Sequence, residues 1–239
     1  MNSQQSDESA LEKWERQKAE GQPFAEHILN IIKAGLSAAP FTGAIASLMT
    51  DYIPTTKAKR LEEFAEQVAK DLYNLRDSVN AKYLQTDDFA FMFEQSFRAV
   101  AEHPQKEKLK AFRGILVNSA TAKGYTEEEK EYFLNLAMNL STLHIRILKF
   151  MAMPDKYLEE AGIPKESISG SFSNFFPIAI PGVRLEVIRS AFGELNRYGF
   201  TNTGESVFGT MTSGQGLDLL RGRVTELGNR FIQFCTSPK

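Results

Sequence analysis

Leu61, Ala65, Val68, Leu72, Leu75 and Val79 follow one another at spacings of four, three, four, three and four. A helix brings such positions to one side, and the seven-residue repeat draws a continuous apolar seam along it. Charged residues occupy the other faces, while Phe64, Ala69 and Tyr73 widen the stripe. The spacing predicts a heptad helix over 57–84. A widened stripe suits the core of a bundle, and the seam alone suits a coiled coil between chains. The six seam residues are therefore candidates for either role, core or homo-oligomer.

Helical patterning continues on both sides. Upstream, "FAEHILNIIKAGL" puts Phe24, Ile28, Ile31, Ile32 and Leu36 on one face. Downstream, Phe89, Phe93, Phe97 and Val100 form a stripe between a Thr86 N-cap and a stop at Pro104. Phe91 and Met92 make that helix apolar nearly all round, which predicts a place at the centre of the core. Residues 105–122 turn Leu109, Phe112, Ile115 and Leu116 inward. "TEEEKEYFLNLAMNLSTLHIRILKFMAMP" opens on a capping box, Thr126 to Glu129, and reads as one helix to Pro154. "PDKYLEEAG" is a short helix with Pro first and Gly last. The expected fold class is mostly α. A flexible polar segment (1–23) precedes a helical bundle (24–162), and an apolar linker (163–181) leads to a smaller unit (182–239).

That last unit has its own pattern. A helix, "VRLEVIRSAFGELNRYGF", leads into a stretch rich in Gly, Thr and Ser. "ESVFGTMT" and "LDLLRGRV" read as two strands of a hairpin, and Thr225 caps a final helix, "TELGNRFIQFC". This order is similar to the end of many winged-helix domains, so the expectation is a small winged-helix-like α+β unit. It carries seven basic residues against five acidic ones. Arg184, Arg221 and Arg223 are its candidates for binding a phosphate or a nucleotide ligand, the last two at the end of the wing. A winged helix also serves as a protein-interaction module.

Between the first two apolar helices, "AGLSAAPFTGAIASLMT" runs over 34–50 with no charge. Gly35, Ala39, Gly43 and Ser47 recur every fourth position, giving a face of small residues on which two backbones approach closely. As a helix it would be about 25 Å long, short of the roughly 30 Å hydrocarbon layer. Its readings are a tightly packed bundle helix, a pair of helices broken at Pro40, or a segment that enters a membrane in one state of the protein.

The chemistry is mainly one of absences. His27, His103 and His144 are scattered, without acidic or cysteine partners at ligand spacing, and no phosphate-loop, dinucleotide or nucleophile-elbow motif occurs. No catalytic residue, metal site, cofactor or small-molecule substrate is expected, and the chain reads as a non-enzyme. A net charge of −2 gives no general attraction to nucleic acid or anionic lipid. The single cysteine, Cys235, excludes an internal disulfide and reads as a small hydrophobe on the last helix. Nothing near Met1 resembles a signal peptide, and the expected location is the cytoplasm, with movement to the inner membrane on activation.

The segment 34–50, then "TKAKRLEEFAEQVAKDLYNL", "LKAFRGILVNSA", "YFLNLAMNLSTLHIRILKFM" and finally "VTELGNRFIQF" together resemble the Abi-alpha proteins of bacteria and phages. The resemblance covers most of the chain. It implies a helical, homo-oligomeric effector of abortive infection and anti-phage defence, such as those of the Hailong type. Such an effector would disrupt the inner membrane as an ion channel through its N-terminal apolar segment, under control of a nucleotide or oligonucleotide. The alternatives are a soluble winged-helix DNA-binding regulator and a non-catalytic scaffold protein.

Overall fold

The structure is a computed structural model and describes residues 55–80, 82–210 and 216–237. The chain divides into two compact units, one up to Leu134 together with the residues from Ser237, the other Asn135–Thr236.

In the first unit, α1 (Thr55–Asn74), α2 (Asp87–Glu102) and α3 (Lys106–Thr121) each pack against the other two. Leu61, Ala65, Val68 and Leu72 are buried on α1, with Phe64 edge-on to Phe97 at 5.1 Å. α1 stops short of the 57–84 span. Asn74, Asp77, Ser78 and Asn80 bring side chains that compete for backbone hydrogen bonds. The chain turns there, and the Asn80 side-chain oxygen accepts from the Tyr83 amide at the start of a short 3₁₀ turn, Tyr83–Gln85. Leu75 and Val79 therefore lie beyond the helix, half-buried. Two cross-links fix α1. Arg60 donates to the carbonyls of Val100 and Ala101, at 3.0 and 2.8 Å, answering acceptors that the end of α2 leaves unpaired. Arg113 on α3 grips Asp71 with two parallel bonds of 2.6 Å. The α2 stripe is buried as expected at Phe89, Phe93, Phe97 and Val100, and Thr86 caps it. Phe91, however, is exposed.

His103 closes α2 and stacks on Phe112, ring centroids 6.0 Å apart. Burial and then the neighbouring Lys108 hold its pKa below the ordinary value, against a smaller opposing pull from Glu102. A lowered folded pKa means that the unfolded chain takes up the proton first. The His103 contribution is therefore complete above the unfolded pKa of about 6.5 and declines as pH falls through it. Urea midpoints measured from pH 7.5 to 5 should fall more steeply for wild type than for His103→Gln. Equal slopes would contradict the assignment.

α4 (Glu127–Asn139) begins where the Thr126 hydroxyl accepts from the Glu129 amide, and the division between the units falls inside it. The sequence pattern carries one helix on to Pro154. Instead a second N-cap intervenes: the Ser141 hydroxyl accepts from the His144 amide, and His144 Nδ1 accepts from the Ser141 amide. This reciprocal capping starts α5 (Thr142–Ala152). His144 Nε2 also lies 2.9 Å from Glu194.

In the second unit, α5 packs against α6 (Pro154–Ala161), α8 (Leu185–Arg197) and α9 (Glu226–Phe234). α7 (Phe172–Ala179) lies within 163–181, starts at a Ser171–Asn174 capping box and packs on α8. Its Phe172, Phe175 and Phe176 join Phe150, Phe192 and Phe208 in one aromatic cluster with neighbouring centroids mostly 5.2–6.1 Å apart. α9 begins at Thr225, whose hydroxyl accepts from the Gly228 amide, and ends at buried Cys235.

The winged-helix expectation is corrected here. No strand occurs among the described residues; Thr201 and Val224 form an isolated antiparallel bridge. The described parts of the segments read as wing strands instead carry 3₁₀ turns, Glu205–Gly209 and Gly216–Leu220. The reason is burial. Phe208 inserts among Phe172, Phe176 and Phe192, and Leu219 and Leu220 also face inward. A projecting ribbon would expose them. The unit is helical, without an α+β wing.

Candidate docking face

The first turns of α2 and α4 carry Asp87 and Asp88, and Glu127, Glu128 and Glu129. Carboxylates are favoured at helix N-termini, where unpaired amides and the helix dipole attract negative charge. Asp88, Phe91, Met92, Glu127, Glu128 and Glu131 line a cleft of about 220 Å³. Beside it Glu128, Glu131 and Tyr132 share one side of α4, at spacings of three and four. Phe91 is 40% exposed and Tyr132 47%, the two most exposed large aromatics among the described residues of this unit.

The carboxylates divide into two kinds. Glu127 is engaged from two sides, by Lys130 Nζ at 2.9 Å and by the Tyr83 hydroxyl at 2.9 Å. Lys130, itself buried, also lies 3.9 Å above the Tyr83 ring. Burial first, then the Glu127 hydrogen bond, raises the Tyr83 pKa well above its ordinary value and keeps the phenol a donor. By contrast Asp88 and Glu131 are exposed, with no ion pair among the described residues. Glu128 is exposed too, and hydrogen bonds from its own backbone amide and the Thr126 hydroxyl lower its pKa, favouring the charged form. The result is a cleft where Phe91 and Met92 meet carboxylates, with two exposed rings, Phe91 and Tyr132, near Asp88, Glu128 and Glu131, of which Glu128 is favoured in its charged form.

The residues singled out from the sequence fall elsewhere. Gly35, Ala39, Gly43 and Ser47 lie outside the described residues. Leu61, Ala65, Val68 and Leu72 are consumed in the core of their own chain. Arg184 is exposed at the N-cap of α8, and its side chain caps nothing. Arg221 is exposed and pairs with Asp218 at 3.1 Å. Arg223 is half-buried in a different cleft, so the three arginines do not converge. Among the described residues no group of His, Cys, Asp and Glu is placed to hold a metal ion.

No helix among the described residues is long and apolar enough to cross a membrane. Among the described residues, then, nothing carries the membrane-disrupting, ion-channel effector expected from the sequence. Its apolar segment, 34–50, lies outside the described residues. The winged DNA-binding regulator loses its wing in the same way.

The docking face itself was missed in the sequence. Phe91 sits two residues off the Phe89–Phe93–Phe97 stripe, and "TDD" and "TEEE" both open helices. Together those signals point to an aromatic on an acidic face. The chain matches no family model, no curated protein and no solved structure. The likeness to the Abi-alpha proteins therefore rests on the phrases quoted above.

Proposed function

We propose that this chain is a non-catalytic scaffold protein that holds a basic, amphipathic helical segment of a partner on the acidic face of its first unit. The observation that carries the reading is the pairing of exposed Phe91 and Tyr132 with the unpaired carboxylates of Asp88 and Glu131 and the ionised Glu128. Exposed aromatics act as anchors when a partner covers them, and surrounding charge sets partner choice and encounter rate. An amphipathic helix supplies both an apolar stripe and Lys or Arg on its flanks. A homo-oligomer, if formed, would use surfaces other than the Leu61, Ala65, Val68 and Leu72 stripe of α1, since those side chains are already buried.

The test is titration of a fluorescent Lys/Leu amphipathic helical peptide, read by anisotropy at low salt. Wild type should bind, with affinity falling as salt rises. Glu128→Lys combined with Glu131→Lys should weaken binding at least tenfold, with circular dichroism unchanged. Phe91→Ser should do the same without altering charge. Equal affinity for wild type and both variants would overturn the proposal.

A further inference from the structure

Arg223 is singular among the cations of the second unit. Its Nε donates to the Leu219 carbonyl at 2.8 Å, and its guanidinium carbon lies 5.7 Å from the centroid of the Phe172 ring. These two contacts fix the plane of the fork. Its terminal nitrogens meet no acceptor among the described residues. They border a cleft of about 230 Å³, lined by Phe172, Thr203, Ser206, Val207, Thr210, Leu219 and Arg223. No carboxylate lines it. The hydroxyls of Thr203, Ser206 and Thr210 also make no hydrogen bond among the described residues, whereas those of Thr201, Ser173 and Thr225 nearby are all engaged.

A half-buried guanidinium is normally paired, because removing charge from water is costly unless a counter-charge replaces it. Here the cation is pre-oriented by the ring and by Leu219, and three spare hydroxyls share the cleft. Guanidinium N–H groups and hydroxyls together form a donor set suited to an oxyanion with several acceptor oxygens. The planar fork engages two oxygens of a tetrahedral phosphoryl group and leaves the third to the hydroxyls. Phe172, Val207 and Leu219 supply an apolar wall for the atoms that follow.

We propose that this cleft is a phosphoryl-binding site for a small phosphomonoester, held by Arg223 and the hydroxyls of Thr203, Ser206 and Thr210. It involves none of the residues of the docking face, so either reading can fail without the other.

The probe is inorganic phosphate at constant ionic strength, followed in the full chain by thermal midpoint and by amide chemical shifts. Phosphate should raise the midpoint saturably and shift the amides of Thr203, Ser206 and Thr210. Chloride and acetate should do neither. Arg223→Gln should abolish the effect, and Arg221→Gln should leave it intact. Thr203→Val leaves the arginine and its ring in place, so it decides the question if Arg223→Gln fails to fold; it should weaken binding several-fold. Equal effects of acetate or chloride, or unaltered phosphate binding in Thr203→Val and in folded Arg223→Gln, would overturn the proposal.

Discussion

Phe176→Ala should lower stability by about 4 kcal/mol, within the range for truncating a buried Phe. Phe176 has no solvent exposure and its ring meets five others, those of Phe150, Phe172, Phe175, Phe192 and Phe208, at 5.2–5.9 Å. Those rings come from α5, α7, α8 and the 3₁₀ turn Glu205–Gly209. No single element can shift to refill the space, so most of the cavity should persist. Since domains are stable by only about 5–15 kcal/mol, the variant should unfold at much lower urea concentration. Ile178, two residues on, is 41% exposed. Ile178→Ala should change stability by less than about 1 kcal/mol and serves as the control. A loss below about 1.5 kcal/mol for Phe176→Ala would mean that the aromatic cluster is not close-packed.

Gly228→Ala should also destabilise, by about 3 kcal/mol, although the residue is in a helix. Helix propensity alone favours alanine by about 1 kcal/mol. Packing opposes it. A Cβ on Gly228 would sit 2.4 Å from the Phe200 carbonyl oxygen and 2.8 Å from a methyl of Val224. That carbonyl cannot retreat freely, because it accepts from the Thr225 amide at 3.0 Å beside the Thr201–Val224 bridge. Overpacking against fixed backbone lies at the upper end of the usual cost. Gly193 on α8 gives the contrast: its added Cβ would meet the Glu205 side chain at an ordinary 3.6 Å. Gly193→Ala should therefore be neutral or stabilising by up to about 1 kcal/mol. Thermal unfolding of both variants against wild type measures the difference in sign. A stabilising Gly228→Ala would show that α9 does not pack on the Phe200 backbone as described.

Helices and their caps were legible wherever a local signal sufficed. Thr86, Thr126 and Thr225 each begin a helix with the expected hydroxyl, and Pro154 and Gly162 bracket α6. Two of the failures show where local signals fell short. The stripe from Phe133 through Leu140 to Ile147 is continuous in sequence, yet Ser141 and His144 cut it. That device has His where a capping box usually has Glu or Gln. The second failure was the wing. "ESVFGTMT" has the turn chemistry of a hairpin, but the location of Phe208 depends on rings contributed by α7 and α8, far along the chain. Only tertiary packing decides such a case. For the docking face the acidic residues were visible as helix starts. The exposure of Phe91 was not, because an apolar residue beside an apolar stripe reads as a wider stripe.

Cys235 closes α9 and is 5% exposed. A thiol reagent has little access to sulfur in that position, so its reaction depends on transient release of the terminal helix. With one sulfhydryl in the whole chain, the rate of labelling becomes a native clock for opening at this end of the molecule. It requires no engineered reporter, and the same shielding slows oxidation of the resting protein.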